Sequence, residues 1–319
     1  MPSRGFRRLA LVTLVLTFAL VVLGGVVRVS DSGLGCGPGD SGFHGWPLCN
    51  GDVIPGASIH TAIEYAHRTV ASAVGLLALS LLILARRRHR EHRGLVRATT
   101  ATFALVVAEG LLGGATVEEN LDEELVAAHL GLAMIILALL IYTWRASRPE
   151  VIGAPVPETS RGYRRFAIGV QVMVLLTIVA GGYMAGTQKY GRPDYKLGDG
   201  AHHACGREFP TCNDGFLPFG QSRLVDIHLT HRVLMYLTTI AIVALIVMTL
   251  RRRLGLNRTA AALGALLAVQ LVVGALNVWL EEYEVLILAH LTLGALLWAA
   301  SSMLTMQLYR VPEPARVPA

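Results

Sequence analysis

The sequence predicts an all-α polytopic membrane protein, with eight transmembrane helices in two tandem four-helix bundles related by a parallel internal repeat. Three observations predict it. Of 319 residues, 53% are hydrophobic and 16% charged, with a mean hydropathy of +0.53; soluble domains are far less apolar. Charge-poor runs long enough to cross a bilayer recur along the chain. Short polar motifs also occur twice, in the same order.

The expected spans are 7–28, 63–85, 97–117, 124–145, 165–187, 225–250, 259–280 and 284–309. The first follows Arg4, Arg7 and Arg8. Its uncharged run is long for a signal-peptide core and no small-x-small site follows VVRVSDSG, so it is expected to stay as a span. RRRHREHRGLVR follows the second span, Arg145 to Arg165 bracket the gap between the fourth and fifth, and RRRLGLNR follows the sixth. Arg310 and Arg316 end the series. Most of the 28 basic residues thus fall on one side. The positive-inside rule makes that side, with both termini, cytoplasmic in a cell-membrane protein. The net charge of +6 therefore reads as topology rather than nucleic-acid binding. His89 and His92 lie in a basic run and are expected to be solvated.

The other side carries two long loops, about 29–62 and 188–224, and two acidic turns, VEENLDEE and EEYE. The four cysteines lie in the long loops. Outside the cytoplasm they are expected to form one local disulfide per loop, Cys36–Cys49 and Cys205–Cys212, with cross-loop pairing left open.

The repeat is direct. WPLCNGDVIP answers FPTCNDGFLP, EYAHRTV answers HLTHRVL, and AEGLLGGATV answers VQLVVGALNV. Gly24-Gly25 and Gly181-Gly182 mark helices 1 and 5. Each half runs in–out–in–out–in, which makes the repeats parallel. The expected units are 1–147, a cytoplasmic linker at 148–163, and 164–319.

Four histidines take equivalent places, His67 and His129 in the first half, His231 and His290 in the second. Each stands 16 to 20 residues before the arginine ending its span, or ~24–30 Å above the cytoplasmic boundary. Intramembrane histidines are costly and mark function. Two matched pairs at one depth suit axial ligation of haem iron, whereas zinc or copper would usually want further thiolate or imidazole ligands close by.

The halves differ at two points. Glu64, three residues before His67, is replaced by His228 in the second half. Residues i and i+3 share a helix face, so Glu64 is expected to serve acid–base or charge-stabilising chemistry on what His67 binds; an ion pair with Arg68 is the competing reading. His228 cannot be an anionic base. Glu109 is answered by Gln270, as a proton relay or as a protonated hydrogen-bonding group. Arg68 and Arg232 follow the first histidine of each pair, either as partners of haem propionates or as snorkelling interfacial cations.

With EYAHR in helix 2, histidines in helices 4, 6 and 8, and the loop GFHGWPLCNGDVIP, the chain resembles the haem A synthase family over nearly its whole length. The resemblance implies oxidation of the C8 methyl group of haem O to formyl by successive hydroxylations. It implies a substrate haem in the first half, with Glu64, His67 and His129, and haem b on His231 and His290 in the second. Membrane lipid, an unspecified electron acceptor, haem O synthase as donor of haem O and possible oligomerisation follow as expected partners. The 12 residues between Cys36 and Cys49 exceed the spacing of many bacterial members, which puts a redox function of that pair in question. The competing class is a di-haem cytochrome b type electron carrier that leaves its haem unmodified; a transporter would need a through-path that four histidines at one depth do not suggest.

Overall fold

The structure is a computed structural model describing residues 1–39, 41–54, 56, 58–188, 200–280 and 284–314. Among these, the chain forms eight long helices and two short 3-10 turns: α1 (Arg4–Val29), α2 (Ile59–Arg88), α3 (Arg93–Glu118), α4 (Glu123–Ala146), α5 (Arg161–Gly186), α6 (Arg223–Arg251), α7 (Asn257–Trp279) and α8 (Glu284–Gln307). All eight are long and apolar enough to span a bilayer, so this is a multi-pass membrane protein. Most helices outrun the spans expected from hydropathy. Hydropathy marks the width of the hydrocarbon layer, whereas a helix continues to its cap. Side-chain oxygens of Ser3, Ser58, Asp122, Ser160 and Ser222 accept backbone N–H groups of the first turns of α1, α2, α4, α5 and α6, which fixes where those helices begin.

Consecutive helices pack together along the chain; α1 also meets α4, and α5 meets α8. Contacts of α4 with α5, α1 with α8 and α4 with α8 join the halves. The two Gly-Gly pairs divide these duties. A Cβ on Gly25 would stand 2.9 Å from Leu288 of α8, and one on Gly182 2.9 Å from Leu130 of α4. These glycines admit the other half, while their neighbours Gly24 and Gly181 face their own. Buried Trp298 of α8 donates its indole N–H to the Met134 carbonyl of α4 at 2.7 Å, so this polar group crosses the seam satisfied.

At one end lie the disulfides Cys36–Cys49 and Cys205–Cys212. Each second cysteine is followed by an asparagine with positive φ, Asn50 at 54° and Asn213 at 47°, a conformation asparagine tolerates better than most residues. That turn lets Cys49 pair with Asp52, and Cys212 with Gly215, as isolated antiparallel bridges. The Trp46–Pro47 and Phe209–Pro210 peptides are both cis. Of the EEYE turn, Glu281, Glu282 and Tyr283 lie outside the described residues, as do Pro55, Arg316 and residues 189–199 of the second long loop.

At the opposite, basic end the expectation for two histidines is corrected. His89 and His92 are each 5% exposed rather than solvated. The first turn of α1 returns over them, and Phe6 meets the His89 ring edge-on at 5.1 Å. Hydropathy places the pair within a charged run, but a tertiary contact 83 residues away covers them.

Candidate functional site

Each of the four repeated histidines rests its ring on a glycine of a neighbouring helix. The Cε1 atom of His67 (α2) lies 3.2 Å from where a Cβ on Gly24 (α1) would be; the values are 3.1 Å for His129 (α4) on Gly113 (α3), 3.0 Å for His231 (α6) on Gly181 (α5) and 2.9 Å for His290 (α8) on Gly274 (α7). A Cβ at any of these positions would press on the imidazole, and at Gly274 the ring would have to shift. The sequence reading overlooked these seats. Their signal was present, because Gly113 and Gly274 stand four residues after Glu109 and Gln270, on one helical face.

His231 Nδ1 lies 3.1 Å from the Thr177 carbonyl, a bond that fixes the tautomer leaving Nε2 free as a ligand. The Nδ1 atoms of His67, His129 and His290 are buried without a hydrogen-bond partner. Between His231 and His290 is a cavity of about 260 Å³ with a mostly apolar wall, reached by Gln270, His228, Arg28 and Arg232. Among the described residues no three His, Cys, Asp or Glu side chains cluster as the ligands of a bare metal ion would. At His231 and His290, paired imidazoles beside an apolar cavity fit a haem, whose macrocycle supplies the remaining ligands; at His67 and His129 the orphaned buried Nδ1 atoms are the corresponding sign.

Glu64 is 3% exposed. One carboxylate oxygen accepts the Cys36 backbone N–H at 2.8 Å and the other is paired with Arg68, so the ion pair with Arg68 is formed. Arg68 also donates to the carbonyls of Gly45 at 2.7 Å and Leu48 at 2.8 Å. Arg232 does the same in the second half, donating to Thr211 at 2.6 Å and Glu208 at 2.7 Å. Both arginines therefore clamp the disulfide loops onto the helices. His228, at Glu64's position, is 3% exposed and lies with Nδ1 2.9 Å from the Ala201 carbonyl. Loop attachment is thus common to both halves, and the negative charge belongs to the first alone.

Glu109 Oε1 approaches His129 Nδ1 to 3.3 Å without hydrogen-bond alignment. Gln270 Nε2 lies 3.3 Å from His290 Nε2. Both residues of this asymmetric pair stand beside the histidine of the following helix.

A family model described as "Cytochrome oxidase assembly protein" (COX15-CtaA) matches residues 7–62 and 56–302, which is nearly the whole chain. The chain belongs to that cytochrome oxidase assembly family. Among curated relatives, "Heme A synthase" of Alkalihalophilus pseudofirmus is 30% identical over 91% of this chain and 94% of its own. The "Heme A synthase" of Halalkalibacterium halodurans is 31% identical over 73% of this chain and 72% of its own. That of Symbiobacterium thermophilum is 28% identical over 86% and 85%. The similarity to these family members covers both halves.

Proposed function

We propose that this protein is a haem A synthase, an enzyme that oxidises haem O to haem A. The observation that carries the reading is the near full-length likeness to relatives named "Heme A synthase". The four glycine-seated imidazoles support it. The reaction proposed is oxidation of the C8 methyl group to formyl through successive hydroxylations and loss of water. With water as the oxygen source the step balances as one methyl group and one water giving a formyl group, four protons and four electrons, the electrons passing to an unspecified acceptor.

In this reading residues 1–147 form the substrate half, joined by 148–163 to residues 164–319. His67 and His129 hold the substrate haem O by its iron. Glu64, one helical turn before His67 on α2, supplies a buried negative charge able to hold or pass a proton as the methyl carbon loses hydrogen. His231 and His290 hold haem b, which supplies one-electron transfer when bound. Gly181 and Gly274 let their rings approach, and the Thr177 carbonyl orients His231. The basic end with both termini faces the cytoplasm of the cell and the disulfide loops face outward. Haem O arrives from haem O synthase.

The test is expression in a host that makes haem O, followed by chromatography and mass analysis of extracted haems. Haem A or its hydroxylated precursor is expected. Two filled haem sites with neither product would overturn the proposal and favour a di-haem cytochrome b type electron carrier.

A further inference from the structure

We infer that Glu109 is a positioning residue for the first-half histidine pair: its carboxylate takes the Nδ1–H of iron-bound His129 and strengthens that imidazole as a donor, a bias the second half lacks. The inference rests on the proposed binding of haem by His67 and His129.

Three observations carry it. Glu109 Oε1 is 3.3 Å from His129 Nδ1, which makes no aligned hydrogen bond and is also faced by the Glu109 backbone carbonyl, and Glu109 Oε2 is itself buried and unpartnered. Among the described residues, His129 is the one of the four histidines with a carboxylate oxygen within 4.0 Å. Glu109 and Gly113 also stand one turn apart on α3, so the residue that offers the acceptor and the glycine that seats the ring share a face. The same frame recurs on α7, where Gly274 seats His290, but the acid there is Gln270, whose amide nitrogen faces His290 Nε2 at 3.3 Å. An amide N–H can only donate, so it competes for a ring lone pair instead of enriching it. The remaining oriented ring, His231, uses the neutral Thr177 carbonyl.

A carboxylate behind a metal-bound imidazole fixes its tautomer and raises its basicity, and hydrogen bonding behind an axial ligand is one of the levers on haem potential. The half that holds the substrate is thereby biased toward ferric iron relative to the half that carries electrons. The repeat supplies the same frame with the bias removed.

The experiment is a spectroelectrochemical titration of the detergent-solubilised full chain with haem in both sites. Glu109→Gln is expected to raise the midpoint potential of one haem component by about tenfold in ferric-to-ferrous ratio, ~59 mV for one electron, and to leave the other in place. Unmoved potentials in Glu109→Gln with both haems bound would overturn the inference. If that variant fails to hold haem, Glu109→Asp decides it: the shorter side chain withdraws the carboxylate, so a raised potential of the same component is expected and an unmoved one overturns the inference. His129→Ala tests the underlying reading separately: undiminished haem content with unchanged bis-imidazole spectra would remove the ligand assignment itself.

Discussion

Glu64 and Cys36 are joined directly, the buried carboxylate accepting the cysteine's backbone N–H at 2.8 Å. The acid sits one helical turn before His67, and through it the first disulfide loop and the ion pair with Arg68 form one connected unit on that turn of α2. In the second half His228 keeps the loop attachment through the Ala201 carbonyl without the charge.

Glu64→Gln keeps an acceptor for the Cys36 N–H but removes the negative charge paired with Arg68. Haem binding is expected to survive, while haem A output falls at least ~100-fold, the lower range for loss of acid–base participation. Absorbance spectra and extracted-haem chromatography measure the two separately. Near-normal output would refute the assignment of Glu64.

Removing the disulfides is a matter of loop closure. Cys36 and Cys49 are 13 residues apart, and Cys205 and Cys212 are 7 apart. Paired serine substitutions are expected to cost about 3 kcal/mol for the first and ~2.5 kcal/mol for the second. Melting in detergent should show both losses, with the Cys36/Cys49 variant also releasing Glu64 from its loop partner.

The glycine seats predict a sharp positional contrast on α5. Gly181→Ala puts a methyl 3.0 Å from His231 Cε1 and is expected to reduce haem bound per protein. Gly169→Ala meets nothing within 4 Å and is expected to be neutral or up to ~1 kcal/mol stabilising. Equal haem content in the two variants would show that the seat does not set the ring.

The basic end predicts a pH dependence. Burial holds His89 and His92 below the usual 6.5, with the N-terminal amine adding to the depression of both and Arg88 to that of His89, while Glu91 opposes it. The unfolded chain then takes up protons near pH 6.5 before the folded one does. Stability from this cluster is therefore full above about 6.5 and is lost as pH falls through the folded values. Melting temperatures from pH 7.5 down to about 5 should decline in the wild type and flatten in a His89→Gln, His92→Gln variant.

The number of spans, their order and the equivalence of the four histidines were legible in the sequence. Bilayer thickness sets a length that hydropathy reads directly, and a duplicated chain shows its equivalent positions by alignment. EYAHR identified His67 in this way. It left the direction of Glu64 open, since i and i+3 spacing constrains a helix face but not a partner 28 residues away. Tertiary structure decided that point by folding the Cys36 loop onto the carboxylate. It also assigned Arg68 and Arg232 to loop carbonyls, gave each histidine its glycine and covered His89 and His92 with α1. Hydrophobic periodicity is a property of one helix against its solvent, whereas these contacts exist only between segments far apart in the chain, where backbone carbonyls and missing side chains leave no compositional mark.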